Sequence, residues 1–408
     1  MKQVTSYTYS DPSVLENPFP FYAAMRAQEP VFREPATGVY FISRYDDVLF
    51  ASRHPEIFSS RRSLIATDDA QIGAVREKGF ADSISLTSSD PPEHQRFRAL
   101  VVKVLTPRVF ASLEPSIHAL ANRLIDAFAA EGQADLHAQF AVPLPLTVIA
   151  DLLGFNRADL PQLKHWSDDY TVVLAAQACP VSREVMLSFA RSLTDLQVYL
   201  SDVIKARLAA PGDDVVSRLL AVNAESEKPL DHAELVDMLR VFFIGGNETT
   251  TVAISNTLFH LLSDPALYAR VANEPSLIST AVEESLRCQA PTQWVLRTVM
   301  QDVELSDTTI PAGSRVCLLW GSANRDEAKF NADSDRFDLD RTSDSKHIAF
   351  GFGPHFCAGS ALARAELKIA LTTLFSRLKH LRLAEAPQFN PHPIVRGVKR
   401  LQVSFDTA

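Results

Sequence analysis

Residues 350–359, F-G-F-G-P-H-F-C-A-G, restrict the fold more than any other stretch of the chain. Three glycines and a proline bracket one cysteine, Cys357, and free the backbone on both sides of it. Glycine reaches conformations that crowd other residues, so such a loop can press its main chain against a flat ligand. A helical pattern, A-L-A-R-A-E-L-K-I-A over residues 361–370, follows at once. Cys357 therefore precedes a helix N-terminus, where the dipole and free N–H groups favour a thiolate. A zinc site fails on ligand count, because His355 and Cys357 lack a companion Cys-x-x-Cys or His pair.

The chain has 408 residues and a formal charge of -9, which argues against nucleic acid or an anionic membrane as its main partner. Cys179, Cys288, Cys317 and Cys357 show no framework spacing, so reduced thiols in a cytoplasmic protein are expected. The first ten residues are too polar for a signal peptide, and no apolar run approaches the roughly 18 residues of a membrane span. No repeat or low-complexity linker interrupts residues 1–408, which predicts a single domain.

Apolar periodicity predicts helices over 45–52, 92–105, 113–131, 144–153, 185–208, 231–264, 265–272 and 277–288. Residues 31–32 and 39–42 flank Pro35-Ala36-Thr37-Gly38 as a short hairpin. A second small sheet is expected from 303–305, 309–310 and 315–319 around Pro311-Ala312-Gly313. The fold class is mainly α with small β-sheets. Residues 61–90 form a long irregular connection, usually a functional or mobile feature.

Four further patterns stand out. Phe242-Phe243-Ile244-Gly245-Gly246-Asn247-Glu248-Thr249-Thr250 puts two glycines inside a long apolar helix, at about 1 kcal/mol each relative to alanine. Thr249 there can bond the Gly245 carbonyl and loosen the turn. Glu284-Ser285-Leu286-Arg287 spaces an acid and a base three apart on a helix, a pattern that on its own also suits an exposed ion pair. Asp90-Pro91-Pro92-Glu93-His94 places His94 four before Arg98, on one face of a helix starting after the prolines. In isolation that pair also reads as a solvated basic face. Ala323-Asn324-Arg325-Asp326 is the fourth segment, and its expected role is structural rather than chemical.

The cysteine loop, F-G-x-G-x-H-x-C-x-G, resembles the haem-binding loop of the cytochrome P450 family, the haem-thiolate monooxygenases. The similarity continues in order from Asp90 to Gly359, with a compatible tail at Ile394-Val395-Arg396-Gly397. It implies that Cys357 ligates the iron of haem b (iron protoporphyrin IX), between the long glycine-bearing helix and the cysteine-loop helix. It implies cofactor contacts from His94, Arg98, Gly245, Arg297, Phe350, Gly351, His355 and Gly359. Glu248, where the family usually has Asp, and Thr249 form the implied proton-delivering pair. Glu284, Arg287 and an arginine of the Asp335-Arg336-Phe337 loop hold the fold, with Arg336 the expected third member. Ser334 replaces the usual proline of that loop.

By position relative to these motifs, Leu86, Val241, Ile244, Gly245, Gln293, Val295, Ile394 and Val395 are expected to face substrate. Their apolar character points to a terpenoid, steroid, fatty acid or aromatic. The implied reaction inserts one atom of O2 into that substrate. No nucleotide-binding motif and no length for a reductase domain are present, so electrons are expected from NAD(P)H through ferredoxin reductase and ferredoxin to a monomer. Lys103, Arg108, Arg364 and Lys368 are candidates for the docking face, with a merely solvated charge face as the alternative. A non-catalytic haem or gas sensor and a peroxide-driven peroxygenase are the alternatives in function. Intact Glu248 and Thr249 count against the peroxygenase.

Overall fold

The structure is a computed structural model and describes residues 2–61, 69–80, 84–174, 176, 179 and 181–407. Part of the irregular connection expected over 61–90 lies outside the described residues. Its described part contains the helix Ala70–Arg76, capped by Asp69, which accepts from the Gln71 and Ile72 amides.

The helix His232–Leu262 runs through the middle of the molecule. A reciprocal capping box starts it: Asp231 accepts from the Glu234 amide and Glu234 accepts from the Asp231 amide. Its apolar residues face every direction, because other helices pack around it. These are Pro143–Leu152, Leu160–Leu174, Arg183–Ala209, Ile278–Cys288 and Ser360–Arg377. Among the described residues, no helix is long and apolar enough to cross a membrane.

The pattern 113–131 appears as the helix Pro107–Asp126, which begins earlier than its apolar stripe. Thr106 caps it by accepting from the Val109 amide, and Pro107 occupies the first turn, where no amide partner is needed. The helices Phe19–Gln28, Leu160–Leu174 and Val215–Ala224 were not anticipated.

The larger sheet has five strands in the order Val31–Arg33, Tyr40–Ile42, Arg315–Leu318, Val295–Val299, Phe58–Ser59. Only Tyr40–Ile42 and Arg315–Leu318 run parallel. This corrects the expected second sheet. Val303–Leu305 pairs with Thr308–Ile310 alone, around Ser306 and Asp307, both at positive φ as a tight hairpin requires. Val316, Cys317 and Leu318 are all buried, which suits a strand covered on both faces rather than a hairpin edge. A C-terminal sheet joins Gln133–Asp135, Gln402–Thr407 and Leu378–Leu383.

Candidate functional site

The cysteine loop is folded by its own backbone. The Cys357 amide donates to the Phe350 carbonyl at 2.9 Å, and the Gly351 amide to Ile348 at 2.9 Å. Gly353 sits at φ +71°, and a β-carbon there would lie 2.4 Å from the Ser52 carbonyl oxygen. Only glycine lets the loop dock on the helix Tyr45–Arg53.

Above this loop lies a cavity of about 350 Å³. Cys357 opens onto it, whereas Cys288 and Cys317 are buried in the core. The facing wall is one stripe of the long helix: Val241, Phe242, Gly245, Gly246, Thr249, Thr250 and Ala253. Those offsets of three and four residues mark a single helical face. Nothing lies within 4 Å of a β-carbon built on Gly245 or on Gly359.

One corner gathers nitrogen donors from three elements: His94 and Arg98 from Glu93–Val104, Arg297 from the larger sheet, and His355 from the cysteine loop. The His94 and His355 rings stand 4.3 Å apart, and His355 Nε2 is 3.0 Å from Ser60 Oγ. His94 is buried and its Nε2 has no partner. Burial, with Arg98 and Arg297 nearby, pushes its pKa below the ordinary value, so the imidazole is neutral.

Burial also pushes the Cys357 thiol up. The amides of Gly359 and Ser360 and the guanidinium groups of Arg98 and Arg364 oppose that shift without overcoming it.

Glu248 and Thr249 face opposite ways. Thr249 lines the cavity, with Oγ1 donating to the Gly245 carbonyl at 2.9 Å. Glu248 points toward the helix Leu160–Leu174, where Ser167 Oγ donates to it at 3.3 Å and Lys164 Nζ lies 3.3 Å away. Asn247 Nδ2 donates to Ser167 Oγ at 3.0 Å, and Lys164 also pairs with Asp168. Burial raises the Glu248 pKa, and Lys164 partly offsets the rise. Sequence reasoning missed Lys164 and Ser167; the four-residue spacing of Lys164 and Asp168 was the available signal.

Among the proposed substrate contacts, Leu86, Val241, Gly245 and Val295 line the cavity, and Ile244, Gln293, Ile394 and Val395 do not. Ile244 is rotated off the Gly245 stripe. The Gln293 amide donates to the Ala290 carbonyl at 2.6 Å and packs on Gly321. Ile394 and Val395 are packed with Tyr9, Trp294 and Val252. Gly351 lies behind the wall, against Trp320.

The Glu284–Arg287 pair is buried, and its third member is Arg341 rather than Arg336. Arg287 Nε is 2.8 Å and Arg341 Nε 3.0 Å from the Glu284 carboxylate, while Arg336 supplies only its carbonyl and exposes its side chain. Arg364 is bound to Glu283 at 2.6 Å, which leaves Lys103, Arg108 and Lys368 as the exposed cations of the suggested docking group.

These residues fit a flat iron macrocycle carrying carboxylates: room at both faces beside two glycines, a soft sulfur donor, and a corner of four nitrogen donors with one atom orphaned.

The chain matches the Cytochrome P450 family model over residues 38–405. It is 35% identical over 394 residues to cytochrome P450 107B1 of Saccharopolyspora erythraea, covering 94% of this chain and 93% of that one. It is 34% identical over 396 residues to the vitamin D(3) 25-hydroxylase of Pseudonocardia autotrophica, covering 96% and 94%. The solved structure of CYP109E1 from Bacillus megaterium in complex with testosterone superposes with TM-score 0.86 at 33% identity, covering 97% and 99%.

Proposed function

On the premise that this chain belongs to the cytochrome P450 family, and so to the haem-dependent monooxygenases, we propose that it hydroxylates an apolar substrate of the steroid class at a thiolate-bound haem b. The observation that carries this reading is the single thiol of Cys357 opening onto a cavity whose opposite wall presents Gly245 and Thr249. A steroid-like substrate is supported by the walls of Leu86, Ile149, Leu152, Val241 and Val295, and by two similar proteins that hydroxylate vitamin D(3) or bind testosterone.

When bound, haem iron supplies the activation of O2. Cys357 Sγ is the protein's ligand, and the positive charges of Arg98 and Arg364 favour its anionic form. His94, Arg98, Arg297 and His355 hold the cofactor's carboxylates by hydrogen bonds, charge-assisted at the guanidinium groups. Gly245 leaves room beside Thr249, whose hydroxyl holds a proton at the reacting side of the cavity. Glu248 takes up protons at Oε1 from the Lys164–Asp168 side and resupplies Thr249 once its side chain swings away from Lys164 toward the cavity. The apolar walls exclude bulk water, so the protons reach the site through these side chains. Electrons come from NAD(P)H by way of a ferredoxin reductase and a ferredoxin, the latter docking on the exposed Lys103, Arg108 and Lys368.

The test is the absorption spectrum of the reduced, carbon monoxide-treated protein beside its Cys357→His variant. A red-shifted Soret band lost in the variant is expected; a histidine-type band in the wild type would overturn the assignment of Cys357. In Thr249→Ala, product per electron should fall roughly tenfold or more, at the lower end of general-acid effects or below. Unchanged coupling refutes the proton role.

A further inference from the structure

The adjacent glutamates of Ile278–Cys288 serve different neighbours. Glu284 turns into the buried cluster of Arg287 and Arg341, and Glu283 turns toward Arg364 of the helix that follows the cysteine loop. Arg364 holds Glu283 with both arms of its fork, Nε to Oε1 at 2.6 Å and Nη2 to Oε2 at 2.9 Å. The Arg364 guanidinium carbon also lies 4.4 Å from the centre of the Phe350 ring. The Phe350 carbonyl accepts from the Cys357 amide at 2.9 Å, so this cation is packed against the residue that fixes the Cys357 backbone.

His347 completes the group. Its Nδ1 accepts from the Ala349 amide at 3.2 Å, so the ring hydrogen is on Nε2, which donates to Glu283 Oε2 at 2.9 Å. The imidazole is neutral in that arrangement, and Glu283 and Arg364 cancel to no net charge. Arg98 and Arg364 are the guanidinium groups whose charge reaches Cys357. Arg98 serves the cofactor's carboxylates, whereas Arg364 is compensated by the chain's own Glu283.

One-electron reduction lowers the charge at the cofactor by one, with no bond made or broken. A bare cation beside the thiolate favours the reduced form, and a compensated cation favours it less. The Arg364 and Glu283 side chains are 39% and 42% exposed, and a second cavity of about 620 Å³, lined by both, opens behind the loop. Water and salt therefore screen the pair, so its influence is moderate and depends on ionic strength.

We propose that Glu283 is a positioning residue that neutralises and fixes Arg364 behind the cysteine loop and thereby holds down the reduction potential of the bound haem. The proposal rests on the monooxygenase reading.

Redox titration of the substrate-free holoenzyme with dithionite at low salt, followed at the Soret band, tests it. Glu283→Gln keeps the size of the side chain and removes its charge. It should move the ferric–ferrous equilibrium roughly threefold toward ferrous, about 28 mV at 59 mV per tenfold, the scale of one partly screened charge. Arg364→Gln should move it by a similar factor toward ferric. Glu283→Gln/Arg364→Gln should return to within roughly 1.5-fold of wild type, and salt at about 1 M should shrink both single shifts. Single variants that shift the same way, or not at all, overturn the proposal. So does a double variant displaced further than either, because lost packing rather than charge would then be responsible. If Glu283→Gln does not fold, Arg364→Gln is compared with Arg364→Lys, which keeps the charge without the fork; equal potentials overturn the proposal. The carbon monoxide spectrum of the wild type reports thiolate ligation separately, so failure of the monooxygenase reading is told apart from failure of this one.

Discussion

Arg341→Ala should destabilise the protein strongly while Arg336→Ala should not, although the two arginines lie on one loop. The Arg341 side chain is 6% exposed and its guanidinium makes five hydrogen bonds. The acceptors are Glu284 Oε1 at 3.0 Å, the Phe330 carbonyl at 2.7 Å, Asp333 Oδ1 at 2.9 Å, the Asp333 carbonyl at 3.1 Å and the Arg336 carbonyl at 2.8 Å. Removing one partner of a buried ion pair costs about 3–5 kcal/mol. Glu284 keeps Arg287 and the Asp338 amide, and the Asp333 side chain is half exposed, so the low end, about 3 kcal/mol, applies. That is a change of more than a hundredfold in the folding equilibrium, on the order of two factors of ten. Arg336→Ala removes an exposed side chain and keeps the carbonyl that Arg287 and Arg341 use, so its effect should stay within about 0.5 kcal/mol. Arg341→Lys should fall between, since one ammonium cannot replace the planar fork. Urea unfolding followed by far-ultraviolet circular dichroism, at equal cofactor loading, gives the midpoints. If Arg336→Ala shifts the midpoint as far as Arg341→Ala does, the assignment of Arg341 to the buried cluster is wrong.

The paired glycines of the long helix should respond in opposite ways. Gly246→Ala puts a β-carbon 2.9 Å from Ile149 Cδ1 and should cost about 1–3 kcal/mol, whereas Gly245→Ala meets nothing within 4 Å, should stabilise the helix by up to about 1 kcal/mol, and should weaken substrate binding by filling the cavity. Thermal melts and substrate titrations read the two effects; equal melting temperatures for both variants would contradict this geometry. Glu283 gives a pH signature. Despite burial, hydrogen bonds from Arg364 and His347 bring its pKa from the ordinary 4.5 to about 2. A depressed carboxylate contributes stability that is full above pH 4.5 and lost as pH falls toward 2. The stability gap between wild type and Glu283→Gln should therefore close over roughly pH 4.5 to 2, as urea midpoints along that series would show. A gap that persists at pH 2 would refute the ion-pair origin.

The local sequence determined those features whose physics is local. Glycine spacing around Cys357 prescribes the loop, and Gly353 against Ser52 shows the steric reason. The four-residue interval between His94 and Arg98 prescribes a shared helical face, and both reach the same corner of the cavity. Apolar periodicity over residues 231–264 already implied one long helix, and its capping box marks the start. The family itself was legible in the order of these motifs.

Tertiary structure decided what depends on direction rather than spacing. Arg336 and Arg341 are both loop arginines within reach of Glu284, and only the path of the chain after residue 336 turns Arg341 inward. Arg315–Leu318 could extend either sheet; burial on both faces placed it in the larger one. Adjacent helical residues differ by about 100° in direction, so Glu248 and Thr249 part, one to Lys164 and the other to the cavity. In sequence Glu366 stands between Arg364 and Lys368, like one more charge of a solvated helix face. It becomes a buried acid only because the long helix packs across it, and burial is a property of the assembled core that no local pattern contains.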